Sequence, residues 1–355
     1  AVFIVLAMLL LQIATMLRFA GALLDDFGFA PTSVTLLSLA LVAITLFVGG
    51  MRAAGVVDAV QMIALLCVAV FLPLPALVAT GGWEELKAAV TSLGPGAMDW
   101  FGDKRGVAAI AFAAGVLGLG LATLGQPQAV NRLMAAKDEA SLRIARWVAP
   151  LWIAVLLAAV LLCGWCASVL YAGLDRPLES LPVIASRLLP PGLAAMIVLT
   201  LAATVIAGIS GQLLVIATSL AVDLKRPTAP LSLGWLRGGL LIGVVLAAVT
   251  ALYASDAITG DALFAFTALG ASLGPLLFVR LSGKRIRPGA TLAAMWAGFV
   301  LSVLFHLLPD SPGDFLERVL PFIAALGIAL TGGERRRNPD RADRSQETVH
   351  DRVPI

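Results

Sequence analysis

Apolar runs of about 20 residues, each long enough to cross a hydrocarbon core of roughly 30 Å as a helix, recur from one end of the chain to the other. Short polar stretches part them. Hydrophobic residues make up 60% of the chain and charged ones 13%, where soluble domains run to roughly half and a quarter. Segments of that length and uniformity span a bilayer rather than fill a soluble core. The fold class expected is therefore an all-α polytopic membrane protein.

Ten helices are expected, near 1–24, 32–49, 55–79, 107–130, 145–171, 191–222, 233–253, 261–281, 289–308 and 315–331. Pro and Gly mark the joints, at Pro31, Gly49-Gly50, Gly81-Gly82, Pro190-Pro191, Pro227, Pro230, Pro288-Gly289 and Pro309. The first run, AVFIVLAMLLLQIATML, lacks a basic flank and a cleavage site and reads as a transmembrane helix rather than a signal peptide. The loops alternate in charge: 18 Lys and Arg fall on one side and 6 on the other. By the positive-inside rule the richer side is cytoplasmic, which places both residue 1 and the C-terminus inside a bacterial inner membrane. Residues 1–331 form the transmembrane domain. Residues 332–355, charged and without aromatics, are expected to be a disordered cytoplasmic tail. Two outer stretches, one from Trp83 to Lys87 and one near 176–188, are expected as short helices on the membrane surface.

The net charge of +3 does not point to nucleic acid, because the basic residues sit in loops and tail, where they set orientation. Cys67, Cys163 and Cys166 all fall in apolar runs. Cys163-Gly-Trp-Cys166 has redox spacing but no βαβ context, so it reads as buried structural cysteines. Catalysis finds no support: there is no Gly-x-Ser-x-Gly elbow, no Walker loop, no His pair at metal spacing and no paired carboxylates on one helix face. No cofactor is expected, and the chain is read as a non-enzyme.

The span through Gly115, Gly118, Gly120, Thr123, Gly125, Gln126 and Pro127 is the one expected to break, because glycines weaken a helix and Pro127 removes a backbone donor. Unwound backbone at membrane depth survives where it lines a cavity and offers carbonyls and helix termini to a substrate or ion. The competing reading is close helix packing through the glycines. Charges within spans are costly enough to suggest function. Asp58 lies near Arg52, so an interfacial ion pair competes with a cation role. Arg18 is expected to snorkel towards Asp25 and Asp26, His306 to sit at an interface, and Trp83, Trp147, Trp235 and Trp296 to form a belt.

Gly125-Gln126-Pro127-Gln128, followed by Arg132-Leu133-Met134-Ala135-Ala136, resembles the GQPH…RFMAA stretch of the sodium:solute symporter family, most closely its sodium/proline symporter branch. Gly49-Gly50 with Asp58-Ala59-Val60-Gln61 is similar to the family's GG…DxVQ segment. Ser210-Gly211-Gln212-Leu213-Leu214-Val215 with Asp223-Leu224 is similar to SxQLLV…DL, and Gly274-Pro275 with Gly289-Ala290 to a GP…GA signature. The resemblance is collinear from about residue 1 to 331. It implies a partial LeuT-type fold of inverted five-helix repeats, with residue 1 at the third helix of the first repeat and the first two core helices missing.

The resemblance further implies a secondary carrier of a small organic solute such as an amino or organic acid, with sodium or a proton as coupling ion. It places Gln126, Thr123, Leu119, Gly125 and Ile13 at the substrate, and Asp58 and Ser210 at the cation. Ala207 and Gly208 stand where the family carries two hydroxyl residues that ligate sodium, and neither offers a side-chain oxygen to a hard cation. Proline-type members carry aromatics where this chain has Ile13, Leu119 and Thr123, so a proline substrate is not implied. The alternatives are a non-transporting membrane sensor or partner module, since the same fold occurs joined to signalling kinases, and an inactive truncated carrier.

Overall fold

The structure, a computed structural model, describes residues 1–335 except 26, 95, 172–179, 225–232, 254–257 and 310. Arg176, Lys225, Arg226 and the tail beyond 335 thus lie outside the described residues; of the stretch 332–355 expected to be disordered, only 332–335 is described, and there Gly333–Arg335 forms a strand. The described chain is almost wholly helical.

α1 (Val2–Asp25) leads to α2 (Pro31–Phe71) and α3 (Pro73–Ala79). At 41 residues α2 would be about 62 Å long if straight, twice the hydrocarbon thickness. Gly50 breaks it with φ 55 and ψ −141, in the left-handed half of the map where only glycine is at ease. The expected spans 32–49 and 55–79 are the two sides of this break. Then come α4 (Trp83–Ser92), α5 (Val107–Ala122), a 3₁₀ turn at Thr123–Gly125, α6 (Pro127–Met134) and α7 (Glu139–Leu170). α8 (Ser180–Leu188), α9 (Pro191–Thr218) with a π-helical end at Ser219–Asp223, α10 (Leu233–Tyr253) and α11 (Ile258–Leu281) follow. The chain closes with β1 (Lys284–Ile286), α12 (Pro288–His306), a 3₁₀ turn at Pro312–Asp314, α13 (Phe315–Arg318), α14 (Leu320–Thr331) and β2 (Gly333–Arg335). Pro occupies the first turn of α2, α9 and α12, where its missing N–H costs nothing.

Among the described residues, eight helices are long and apolar enough to cross a membrane. Three of the ten expected spans, 32–49, 55–79 and 315–331, account for the difference. Residues 31–79 form one stretch of 49 residues broken at Gly50. The 315–331 segment divides at Val319, leaving α14 only 12 residues long. The chain is a multi-pass helical membrane protein.

Two compact units make up the chain, 1–113 with 127–266, and 114–126 with 267–355. In the first, α9 packs on α1, α2 and α10, and the apolar side of α1 (Ile4, Leu9, Ile13, Leu17) is fully buried. A second cluster joins Leu72, Ala76, Leu86, Val90, Cys163, Cys166, Ile184 and Ala185. The two stretches expected at the outer surface do form helices, α4 and α8, but their apolar faces are packed into this cluster. Cys163 and Cys166 are free thiols within it, while Cys67 is free and exposed. Arg18 donates its Nε to the carbonyl of Ala251 in the last turn of α10 (3.2 Å); Asp26 lies outside the described residues.

The second unit is held by close backbone approach, as expected where no hydrophobic force drives helices together in lipid. α12 packs on α14. Pro275, inside α11, supplies no N–H to the carbonyl of Ala271, and Gly298 of α12 lies directly against that carbonyl. His306 Nδ1 is 3.0 Å from Glu317 Oε2, and Thr267 donates to Glu317 Oε1 (3.4 Å).

Candidate binding site

Two features carry chemistry. The first is the break between α5 and α6. Pro127 leaves the Thr123 carbonyl without its helical donor, and Gln126 turns extended (φ −81, ψ 109). The Gln126 N–H donates to the Thr123 carbonyl (3.2 Å), and the Gln126 side chain donates Nε2 to the Ala122 carbonyl (3.2 Å). One residue thus meets two of the carbonyls at the break, while 2% exposed. The Thr123 hydroxyl donates back to Gly120 (2.6 Å).

The glycines around the break serve packing as well. Gly125 lies against Gly270 and Gly274, Gly118 against Arg318 and Val319, and Gly115 against Gly313, each too close for a Cβ. Gly120 has open space. Breaking and close packing both hold for this span.

The second feature is a cavity of about 1150 Å³ in the first unit, walled by α2, α6 and α9. Its polar lining is Arg52, Asp58, Gln128, Asn131, Arg132 and Ser210, and the rest is apolar. Asp58 Oδ2 is 2.7 Å from Arg132 Nη2, with the carboxylate side chain 18% exposed and the guanidinium 47%. Arg132 also crosses Gly211, where a Cβ would come within 3.1 Å of Nη2. The ion pair of Asp58 is thus made with Arg132 on α6, not with its sequence neighbour Arg52. One turn on, Gln61 donates to the Thr200 carbonyl (3.3 Å) and Thr204 hydroxyl (3.4 Å), tying α2 to α9.

Both residues expected at the cation, Asp58 and Ser210, line this one cavity. The Ser210 hydroxyl donates to the Ala207 carbonyl (2.7 Å), which leaves its oxygen lone pairs to a cation. Ala207 is buried, and Gly208 faces Met16 of α1, whose methyl would lie 3.4 Å from a Cβ there. The residues expected at the substrate divide: Ile13 is fully buried on α1 in the first unit, while Leu119, Thr123, Gly125 and Gln126 belong to the second. Sequence reasoning missed a buried amide pair, Gln212 Nε2 donating to Gln12 Oε1 (3.0 Å). An isolated Gln inside the apolar run of α1 was the signal available for it.

A span interrupted at Thr123–Gln126, two of its carbonyls met by a buried amide, and a cavity walled by α2, α6 and α9 with an ion pair in it mark this multi-pass helical membrane protein. The profile of the sodium:solute symporter family matches residues 1–298. The chain belongs to that family. It is 27% identical over 307 residues to the high-affinity proline transporter PutP of Bacillus subtilis, a match covering 83% of this chain and 63% of that protein. Against the sodium/proline symporter of Salmonella typhimurium the identity is 25%, over 88% of this chain and 64% of the relative. The chain thus spans under two thirds of the length of these relatives. A solved structure of a Na⁺-coupled sialic acid symporter in its substrate-bound, outward-open state superposes with a TM-score of 0.74 at 15% identity, covering 95% of this chain and 75% of that one. The fold is the partial LeuT-type fold that the sequence resemblance implies.

Proposed function

We propose that this chain acts in cation-coupled secondary transport of a small organic solute, with sodium or a proton as coupling ion and no enzymatic step. The observation that carries it is the break at Thr123–Gln126: a span opened at the glutamine of a family signature, as carriers open helices to meet substrate. Gln126 holds that break, and with Thr123, Leu119 and Gly125 of the same unit it forms the substrate set. Asp58 and Ser210, together at the cavity, are the cation donors. The charge bias of the loops supports a cytoplasmic C-terminus in a bacterial inner membrane, 1–331 being the carrier domain.

The test is accumulation of labelled amino and organic acids by proteoliposomes holding the native protein, under an imposed sodium or proton gradient. Gradient-driven uptake that Gln126→Ala abolishes is the expected result; no uptake of any solute under either gradient defeats the proposal. Ala207 and Gly208 favour a second reading, a membrane module that does not transport, because a cation there would lack two side-chain oxygens. Retrieval of a signalling partner with the native protein, together with absent uptake, would select it.

A further inference from the structure

The turn after α11 gathers cations that the transport reading does not use. Residues 280–287 hold Arg280, Lys284, Arg285 and Arg287 and no carboxylate. Arg280, Gly283, Lys284, Arg285 and Ile286 line a recess of about 410 Å³. The ledge is fixed in place: Gly283 turns the chain with φ 78, β1 pairs antiparallel with β2, and Ile286 is buried beneath it. The Arg287 N–H adds a bond to the Gly332 carbonyl (3.1 Å). The backbone register pairs Lys284 with Arg335, Arg285 with Glu334 and Ile286 with Gly333.

Elsewhere the guanidinium groups of Arg105, Arg132 and Arg318 each meet an aspartate. Arg280, Lys284 and Arg285 are in no ion pair among the described residues. Immediately before the ledge, α11 exposes Phe278 (48%) and Leu281 (74%). On a spanning helix such side chains face acyl chains. A phosphate group at the ledge, joined to chains lying along Phe278 and Leu281, fits both halves of this surface; a free phosphate uses only one.

We propose that Arg280, Lys284 and Arg285 form a headgroup site for an anionic phospholipid. Each basic residue near an anionic headgroup adds about a kcal/mol, so three together favour it roughly a hundredfold. The experiment is native mass spectrometry of the purified full chain titrated with phosphatidylglycerol and with phosphatidylcholine of the same acyl chains. Retention of phosphatidylglycerol over phosphatidylcholine is expected, weakened roughly a hundredfold in Arg280→Gln/Lys284→Gln/Arg285→Gln. It should be unchanged in Lys137→Gln/Arg143→Gln, whose charges lie elsewhere, and undisturbed by millimolar inorganic phosphate.

Equal retention of the two lipids, or an undiminished triple variant, overturns the proposal and leaves the charges as topology signals alone. Displacement by inorganic phosphate overturns it in favour of a plain anion site. Should the triple variant fail to fold, the wild-type comparison decides, with Arg280→Lys/Arg285→Lys expected to keep the preference because it keeps the charge.

Discussion

The Asp58–Arg132 pair joins the spanning helix α2 to the short helix α6, and its members are unequally buried, 18% against 47% exposed. Removing either partner leaves the other charge uncompensated, which costs more the deeper that charge lies. Arg132→Gln, which orphans the deeper carboxylate, should therefore destabilise by about 2–3 kcal/mol, and Asp58→Asn by about 1 kcal/mol, both discounted for partial exposure. The double variant should cost less than the sum, with a coupling of about 1 kcal/mol in thermal melts of the purified protein; strict additivity would show the contact to be incidental. Asp58 was legible as a candidate because a carboxylate in a span is rare, but its partner was not. Arg52 is near in sequence yet lies roughly a third of a turn around the helix, and Arg132 reaches the site only through tertiary packing. The hydroxyl positions allow a converse test. Gly208 has ordinary contact room for a Cβ beside Met16, so Ala207→Ser/Gly208→Ser should fold and, by adding two oxygens, lower the sodium concentration for half-maximal uptake several-fold.

At the scale of elements, the glycines in and around the broken span should respond in opposite senses. Gly120 sits within α5 with open space beside it, so Gly120→Ala should be neutral or stabilise by up to about 1 kcal/mol through its higher helix propensity. Gly270 of α11 lies on the Ala122 backbone, which cannot give way, so Gly270→Ala should cost about 1–3 kcal/mol by overpacking. Paired thermal melts of the two variants check this. The sequence located the break, since Pro127 and clustered glycines act locally. It could not say which glycines meet a neighbour, because that depends on α11 and on residues 313–319, far along the chain. The start of α7 is a local signal of the same readable kind. Asp138 caps it, accepting from the Ser141 N–H and hydroxyl (2.8 and 2.6 Å), and these bonds hold its carboxyl below the usual range. A lowered carboxyl stabilises the fold when ionised: the cap is intact above the ordinary carboxylate pKa and lost as pH falls through its lowered one. The hydrogen-exchange protection factor of the Ser141 amide, taken relative to the intrinsic rate at each pH, should fall in Asp138→Ala at neutral pH, and in the wild type only in acid.

For the whole molecule, hydropathy made the spans legible because lipid demands internally bonded helices and permits few charges. It could not anticipate that α4 and α8 would turn their apolar faces to the protein, since a half-apolar helix suits an interface and a packed cluster equally. Orientation rests on a long-range electrostatic preference, 18 basic residues against 6, rather than on any contact. It predicts opposite sides for the 80–106 loop and for both the turn after α11 and the tail. Ser92 and Ser282 are exposed, and Ser345 stands in the tail. In a Cys67→Ser background, a membrane-impermeant maleimide added to intact cells should label Ser92→Cys directly. Ser282→Cys and Ser345→Cys should label only after the membrane is permeabilised. The reverse pattern would place the Arg280–Arg285 ledge on the outer leaflet and show that packing of the spans, not charge, fixes how this chain inserts. Labelling of Ser282→Cys and Ser345→Cys from opposite sides would instead mean an odd number of crossings between them, and would count α12 or the α13–α14 segment out as a span.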